Sequence, residues 1–457
     1  MLFSIWFAEA CRPGNADVAP LLEHFDSAYD IFAAGEEEIA SLVRSYRLRK
    51  ALADKSLARA HEIYEYCRLH DITVLTYWDE RYPSCLRVLR DPPVILYCKG
   101  QLPDFHTCLC LSVVGTRRMS EYGKRMAYRI GYEMAAAGTV VVSGLALGND
   151  GMAAAGALLA GGTTLAVLGC GLDRIYPPEH TTLASAILRR GAIVTEFAPG
   201  TPPSRENFPM RNRLISGLSQ GTIVVEGDKR SGALITARHA VLQGRDIYAV
   251  PGNVGEPSSE GTNHLIQEGA IPVFCARDVM DHYFFLYDDV LDKERFRRAE
   301  KSPDPSDEAL GELGVYVQIR PTRFPKKPSD GGEKGVEADA ARAPRSTRRR
   351  GAKSSKTSDA PTPPSSPRKP SPQKAQESGA SQSAGSASPV GDDSQRVLAT
   401  LTDTQRRIFA ALPLDRAVTV DYLVRENFSM SDIMASLTML EISGLVVTLP
   451  GGFYTRK

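Results

Sequence analysis

Long apolar runs are what this 457-residue sequence lacks. No stretch approaches the ~18 residues that a membrane-spanning helix requires, so a helical membrane protein is not expected. The opening M-L-F-S-I-W-F-A-E-A-C has no basic residue ahead of its apolar portion, does not read as a secretory signal, and leaves the cytoplasm as the expected location. Net charge is missing as well: 55 Lys and Arg stand against 54 Asp and Glu, a balance of +1. A polyanion must therefore be held by a local patch and not by overall charge. Cysteines number only eight, most of them inside apolar segments where a reduced thiol acts as a small hydrophobe. Cys108 and Cys110 are separated by one residue and have no partner C-x-x-C to complete a zinc site, and no metal is expected. Two nucleotide signatures are absent too. Without G-x-G-x-x-G a dinucleotide cofactor has no support, and without G-x-x-x-x-G-K-[ST] neither has a P-loop ATPase, so no cofactor is expected.

What is present falls into four regions. Residues 1–70 read as helical, with L-L-E-H-F-D-S-A-Y-D-I-F and E-E-E-I-A-S-L-V spaced at threes and fours on either side of Gly35. The acidic G-E-E-E at that junction would repel phosphate, which favours a packing role for this region. Residues 71–287 alternate β-branched runs, from I-T-V-L-T-Y-W (72–78) to A-I-P-V-F (270–274), with helices such as 124–137 and 233–243. Near-continuous apolar strands joined by helical crossovers predict a parallel sheet covered on both faces, an α/β domain of extended Rossmann-like type. Residues 288–395 form a linker in which periodicity is lost from about position 301 and Pro, Ser and Ala dominate. Its stretch 341–374 carries ten Lys and Arg against Asp359 alone, which is +9 and leaves −8 for everything else. It is read as a disordered tether that concentrates DNA without specificity, or as a plain spacer. Residues 396–457 have the layout of a winged helix-turn-helix, with helices at 406–412 and 420–426, a third capped by Ser431 and running to about 443, and a hairpin turning at Gly451-Gly452. The third helix, S-D-I-M-A-S-L-T-M-L-E-I-S, has no Lys or Arg and favours protein contact over base readout.

Within residues 71–287 a single device recurs four times: an apolar strand that ends in a turn bearing glycine, arginine or a hydroxyl, followed by a helix. The instances are C-L-S-V-V-G-T-R-R (110–118), V-V-V-S-G-L-A-L-G-N-D (140–150), F-P-M-R-N-R (208–213) after the run 193–197, and I-V-V-E-G-D-K-R-S-G (223–232). In an open parallel sheet such turns gather at the carboxyl ends of the strands, where helix N-termini offer free N–H groups to anions. Gly115, Thr116, Ser143, Gly144, Ser231 and Gly232 would let phosphates approach backbone N–H groups. Arg117, Arg118, Arg211, Arg213 and Arg230 would supply charge and fork-shaped donors for several phosphates. Phe208 offers either a ring face for a base or a side chain tucked into the core. Asn212 reads as orienting its loop, and Arg213 reads alternatively as an ion-pair partner of Glu226.

Six ordered motifs complete the pattern: V-V-G-T-R-R, S-G-L-A-x-G-x-D, A-V-L-G-C-G-L-D-x-I-Y-P-P-E, F-P-x-R-N-R-x-I-S-G-L-S, V-V-E-x-x-x-R-S-G-A-L-I-T-A-R and A-V-P-G-N. In this order they resemble the DprA/Smf DNA-processing proteins of bacteria. The resemblance implies a helix-hairpin-helix or SAM-like domain in front, a Rossmann-like domain that binds single-stranded DNA and dimerises, and a winged helix behind. It further implies a protein that is not an enzyme, protects incoming single strands during natural transformation and loads a RecA-family recombinase. The chain departs from the family pattern at Leu147 and Asn149, where Arg and Ile are usual, and at Ala154, where a histidine commonly stands.

Two other readings remain open at this point. P-G-N-V-G (251–255) and G-T-N (261–263) resemble the phosphate loop of Rossmann-type nucleotide phosphoribohydrolases, with Glu226 or Asp150 as the acid beside the sugar; helix capping or arginine orientation would equally explain both acids. A winged-helix DNA-binding regulator is the third.

Overall fold

The computed structural model describes residues 1–319, 401–413, 417–425, 428–443, 445–449 and 453–456. Among these residues no helix is long and apolar enough to cross a membrane. The central sheet has nine strands: β1 (Thr73–Thr76), β2 (Ile95–Gly100), β3 (Cys110–Val114), β4 (Val140–Ser143), β5 (Thr164–Val167), β6 (Ala192–Thr195), β7 (Gly221–Val224), β8 (Asp246–Ala249) and β9 (Ile271–Pro272). Their spatial order is β1-β2-β6-β5-β4-β3-β7-β8-β9. All nine coincide with the β-branched runs of the sequence, and β3 to β7 are buried along their whole length because helices cover both faces.

The pairing departs from a purely parallel sheet. From β6 to β9 neighbours run parallel, but β1 pairs with β2 antiparallel and β2 pairs with β6 antiparallel. Apolar runs reveal that a strand is buried, not which way it points. One core face packs beneath the helices Glu121–Ala136 and Asn149–Leu159, and the other beneath Asn207–Gly217 and Gly232–Leu242.

After β3 the chain steps outward through β4, β5 and β6, then returns to place β7 on the other side of β3. The strand order reverses there, between β3 and β7. In open α/β sheets the ligand crevice lies at such a reversal, beyond the carboxyl ends of the strands.

The front of the chain is helical, with helices Leu2–Cys11, Ala19–His24, Ala28–Ala33, Glu36–Leu42, Tyr46–Ala53 and Ala58–Leu69. Its core of Ile5, Phe7, Leu21, Ile31, Leu52 and Ile63 continues into Val74 of β1 and Ile95 and Tyr97 of β2. The helices thus cover the antiparallel end of the sheet.

Two boundaries differ from the sequence reading. Residues 288–319, assigned to the linker by composition, are folded against the domain: the helix Lys293–Ala299 buries Phe296 edge-on to Phe284 with ring centroids 5.3 Å apart, and Leu310 and Val315 join the same core. The basic stretch 341–374 and the rest of the linker from position 320 lie outside the described residues. In the winged helix, with helices Asp403–Ala411, Val420–Arg425 and Met430–Ile442, the third helix is capped by Ser429 and not Ser431, its hydroxyl accepting the Asp432 N–H at 3.2 Å. The strands β10 (Val418–Thr419), β11 (Val446–Leu449) and β12 (Phe453–Arg456) form an antiparallel sheet in the order β10-β12-β11, with Leu449 opposite Phe453 across the hairpin. The expected turn at Gly451-Gly452 lies outside the described residues.

Candidate nucleic-acid interface

Three turns meet at the carboxyl ends of β3, β4 and β7, and two buried carboxylates hold them together. Asp150, 5% exposed, accepts the Gly115 N–H at 3.3 Å and the Gly144 N–H at 2.9 Å, joining the turns behind β3 and β4. Burial pushes its carboxyl above the usual aspartate range, against the attraction of Arg211 and the backbone N–H bonds. Glu226, at the end of β7, accepts the Ser120 hydroxyl at 2.6 Å and its N–H at 3.0 Å. Ser120 in turn caps the helix Glu121–Ala136 by accepting the Gly123 N–H at 3.0 Å.

Above these supports lies a cleft of about 740 Å³. Of the residues singled out in the sequence, Gly115, Thr116, Arg117, Arg118, Phe208, Arg211, Asn212, Arg230, Ser231 and Gly232 line it. Arg117, Arg118 and Arg230 are exposed, and no carboxylate forms an ion pair with any of them among the described residues. Three unneutralised guanidiniums around one concavity are available to an anion.

Arg211 has a different role. It is 4% exposed and donates from Nη1 to the carbonyls of Gly144, at 2.8 Å, and Val167, and from Nε to Asn212 Oδ1 at 3.2 Å. Burial brings its guanidinium down to about 10, opposed by Asp150. It forms the cleft floor, and Gly144 must be glycine because a Cβ there would stand 2.6 Å from Arg211 Nη2. Asn212 donates to the Gly232 carbonyl at 3.2 Å, tying this helix to the one behind β7. Ser231 caps that second helix by accepting the Ala233 N–H at 3.3 Å.

Three of the singled-out residues stand elsewhere. Ser143 is fully buried, its hydroxyl accepting the Leu145 N–H at 3.4 Å. Gly144 lies beside the cleft in an adjoining recess. Arg213 points away from it: it is 2% exposed and paired with Glu196 and, at 3.2 Å, with Asp91. The partner foreseen for it, Glu226, is instead bound to Ser120. Burial lifts the Glu196 carboxyl to about 7, against the pull of Arg213.

Phe208 is half-buried between these groups. The Arg117 guanidinium lies 5.4 Å and that of Arg211 6.0 Å from its ring centroid, and Tyr176 lies against it at 5.3 Å with the rings inclined by 34°. Gln318 and Ile319 also line the cleft, although no motif marked them. The signal was the alternation Val315, Val317, Ile319, which is strand-like and ends in a bridge between Ile319 and Met119.

The segments P-G-N-V-G and G-T-N meet each other through the Asn263 carboxamide, which accepts the Gly252 N–H at 3.1 Å and donates to the Gly252 carbonyl at 3.0 Å. Among the described residues no three His, Cys, Asp or Glu side chains group as a metal site.

Residues 73–284 match the family model of DNA recombination-mediator protein A, and residues 384–452 match that of the DprA winged helix domain. The DNA processing protein DprA of Bacillus subtilis is 40% identical over 214 residues, 47% of this chain and 72% of that protein. Protein Smf of Escherichia coli is 43% identical over 232 residues, 50% of this chain and 61% of its own length. The X-ray structure of DNA processing protein A from Streptococcus pneumoniae matches with a TM-score of 0.54 at 32% identity, covering 62% of this chain and 97% of that one. With its Rossmann-like sheet, its winged helix and these relatives, the chain belongs to the DprA/Smf family of DNA-processing proteins.

Proposed function

We propose that the cleft binds single-stranded DNA and that the protein acts by binding, without catalysing a reaction on the strand. The observation that carries this reading is the set of three exposed arginines, Arg117, Arg118 and Arg230, whose guanidiniums form no ion pair among the described residues, around a cleft at the reversal of strand order. Phosphates contacted in this way convey no base sequence, so affinity follows strand length and salt. The two acids that a nucleotide-cleaving enzyme would need are already engaged, Asp150 by two backbone N–H groups and Glu226 by Ser120. This supports binding over hydrolysis.

Following the family, the bound strand is protected and passed to a RecA-family recombinase during transformation, by a homodimer formed through the Rossmann-like domain. The winged helix serves partner contact in this scheme. Its third helix carries no Lys or Arg and exposes Met434 and Met439, an apolar surface suited to protein and not to phosphate. Filter binding of the full chain to single-stranded and duplex DNA at two salt concentrations tests the reading. Preference for the single strand with a negative salt slope is expected, and equal affinity for both forms would overturn it.

A further inference from the structure

Beside the cleft lies a second, smaller recess that shares the wall formed by Arg117 and Phe208. Leu147, Tyr176 and Pro177 line it too, so apolar carbon and the rings of Tyr176 and Phe208 border a space that the guanidiniums of Arg117 and Arg211 also line. Two loops build it. The loop carrying Tyr176 is fastened to the turn behind β4 by His180, which donates from Nδ1 to the Leu145 carbonyl at 3.0 Å. Leu145 itself takes a left-handed backbone, φ 55°, and its N–H is held by the Ser143 hydroxyl. The fastening ties together the two loops whose Leu147 and Tyr176 both line the recess. Both are half-buried, and the Tyr176 hydroxyl has no hydrogen-bond partner among the described residues.

We propose that this recess is a nucleobase subsite: with a phosphate beside Arg117 in the cleft, the attached base turns over the Arg117–Phe208 wall and stacks on Tyr176 against Leu147. This deepens, and rests on, the single-strand reading above. The recess encloses about 40 Å³, too little to swallow a base, so the ring lies across its mouth with its edge in water. Leu147 adds neither charge nor donor for a phosphate to the Arg117 and Arg211 guanidiniums that also line the recess. Leu147 is also where the family pattern carries arginine, so this one wall of the subsite departs from that pattern, while Arg117, Tyr176 and Phe208 lie within its motifs. Stacking of this kind accepts any base, since every base has a π face.

The test compares the full chain bound to oligothymidine and to a strand of equal length that lacks bases, by fluorescence anisotropy. Each engaged base should favour oligothymidine by roughly tenfold. Tyr176→Leu should weaken binding to oligothymidine severalfold and leave the abasic strand unchanged, whereas a merely structural role would weaken both. Leu147→Arg should strengthen the abasic strand and narrow the ratio, and it decides the matter alone if Tyr176→Leu fails to fold. If the parent binds both strands alike, or if both variants keep the parental ratio, the subsite proposal is wrong while single-strand binding stands. Binding of neither strand by the parent would instead remove the functional reading on which it rests.

Discussion

Glu226 grips Ser120 by both its hydroxyl and its N–H, at 2.6 and 3.0 Å, across 106 positions of sequence. One carboxylate thereby sets where the helix Glu121–Ala136 begins and how the turn of Arg117 and Arg118 enters the cleft. The fit is tight, since a Cβ on Gly123 would stand 1.8 Å from Glu226 Oε2. Replacing Glu226 by Ala should cost about 2 kcal/mol, because the Ser120 N–H is left without its acceptor. Urea denaturation measures this, and an unchanged midpoint would show that water substitutes for the carboxylate.

Arg117 and Arg211 should separate binding from stability. Arg117→Ala removes an exposed side chain and should shift stability by less than ~0.5 kcal/mol. It should weaken single-strand binding across all sequences and lower the salt slope by ~0.7, the value for one phosphate on a single strand. Titrations at several salt concentrations give the slope directly.

Arg211→Ala should behave in the opposite manner. The substitution strips donors from the buried carbonyls of Gly144 and Val167 and leaves Asp150 without its cation, so a loss of ~3 kcal/mol is expected. Calorimetry would see it as a lower Tm; a variant as stable as the parent but unable to bind DNA would mark Arg211 as a phosphate contact.

Glu133 should make stability depend on pH. It is 4% exposed, and burial lifts its carboxyl to about 7, opposed by Arg129 at 3.4 Å. A folded value above the unfolded one means that the native state holds the extra proton. The stability this confers is complete below the usual glutamate range and is lost as pH rises through 7. Glu133→Gln should therefore be more stable than the parent at pH 8, by ~1–3 kcal/mol, with the difference gone near pH 4. Denaturation at the two pH values checks the sign.

The basic stretch 341–374 should act at low salt only. Changing its Lys and Arg to Gln in the full chain should reduce DNA affinity more at ~0.05 M than at ~0.3 M salt, since long-range attraction between charges in solution is screened over a Debye length of ~10 Å at 0.1 M. An equal loss at both concentrations would indicate direct, desolvated contacts.

The strands and the gathering of the turns were legible in the sequence because a buried parallel strand must be apolar throughout, and alternation with helices sends every turn to the same end. The roles of the arginines in F-P-M-R-N-R were not. Two residues apart on a helix, positions 211 and 213 point about 200° apart, so one arginine became the cleft floor while the other turned towards Glu196 and Asp91. The first of those partners lies just after β6 and the second over a hundred residues before Arg213, and no local pattern joins the three. Strand direction at β1 and β2 was hidden because burial alone does not encode it. The Ser429 cap was readable from F-S-M-S-D, where Ser429 stands three residues before Asp432.

The pairing of β3 with β7 places Leu111 opposite Gly221, 110 positions later. During synthesis, therefore, the side of the cleft that Arg230, Ser231 and Gly232 line is missing until β7 has left the ribosome, however complete β3 to β6 have become by then. Closing so long a loop is slow, and the exposed flank of β3 is meanwhile an open sheet edge able to recruit a neighbouring nascent chain. A message truncated before codon 221 should yield insoluble protein, not a soluble and weaker DNA binder.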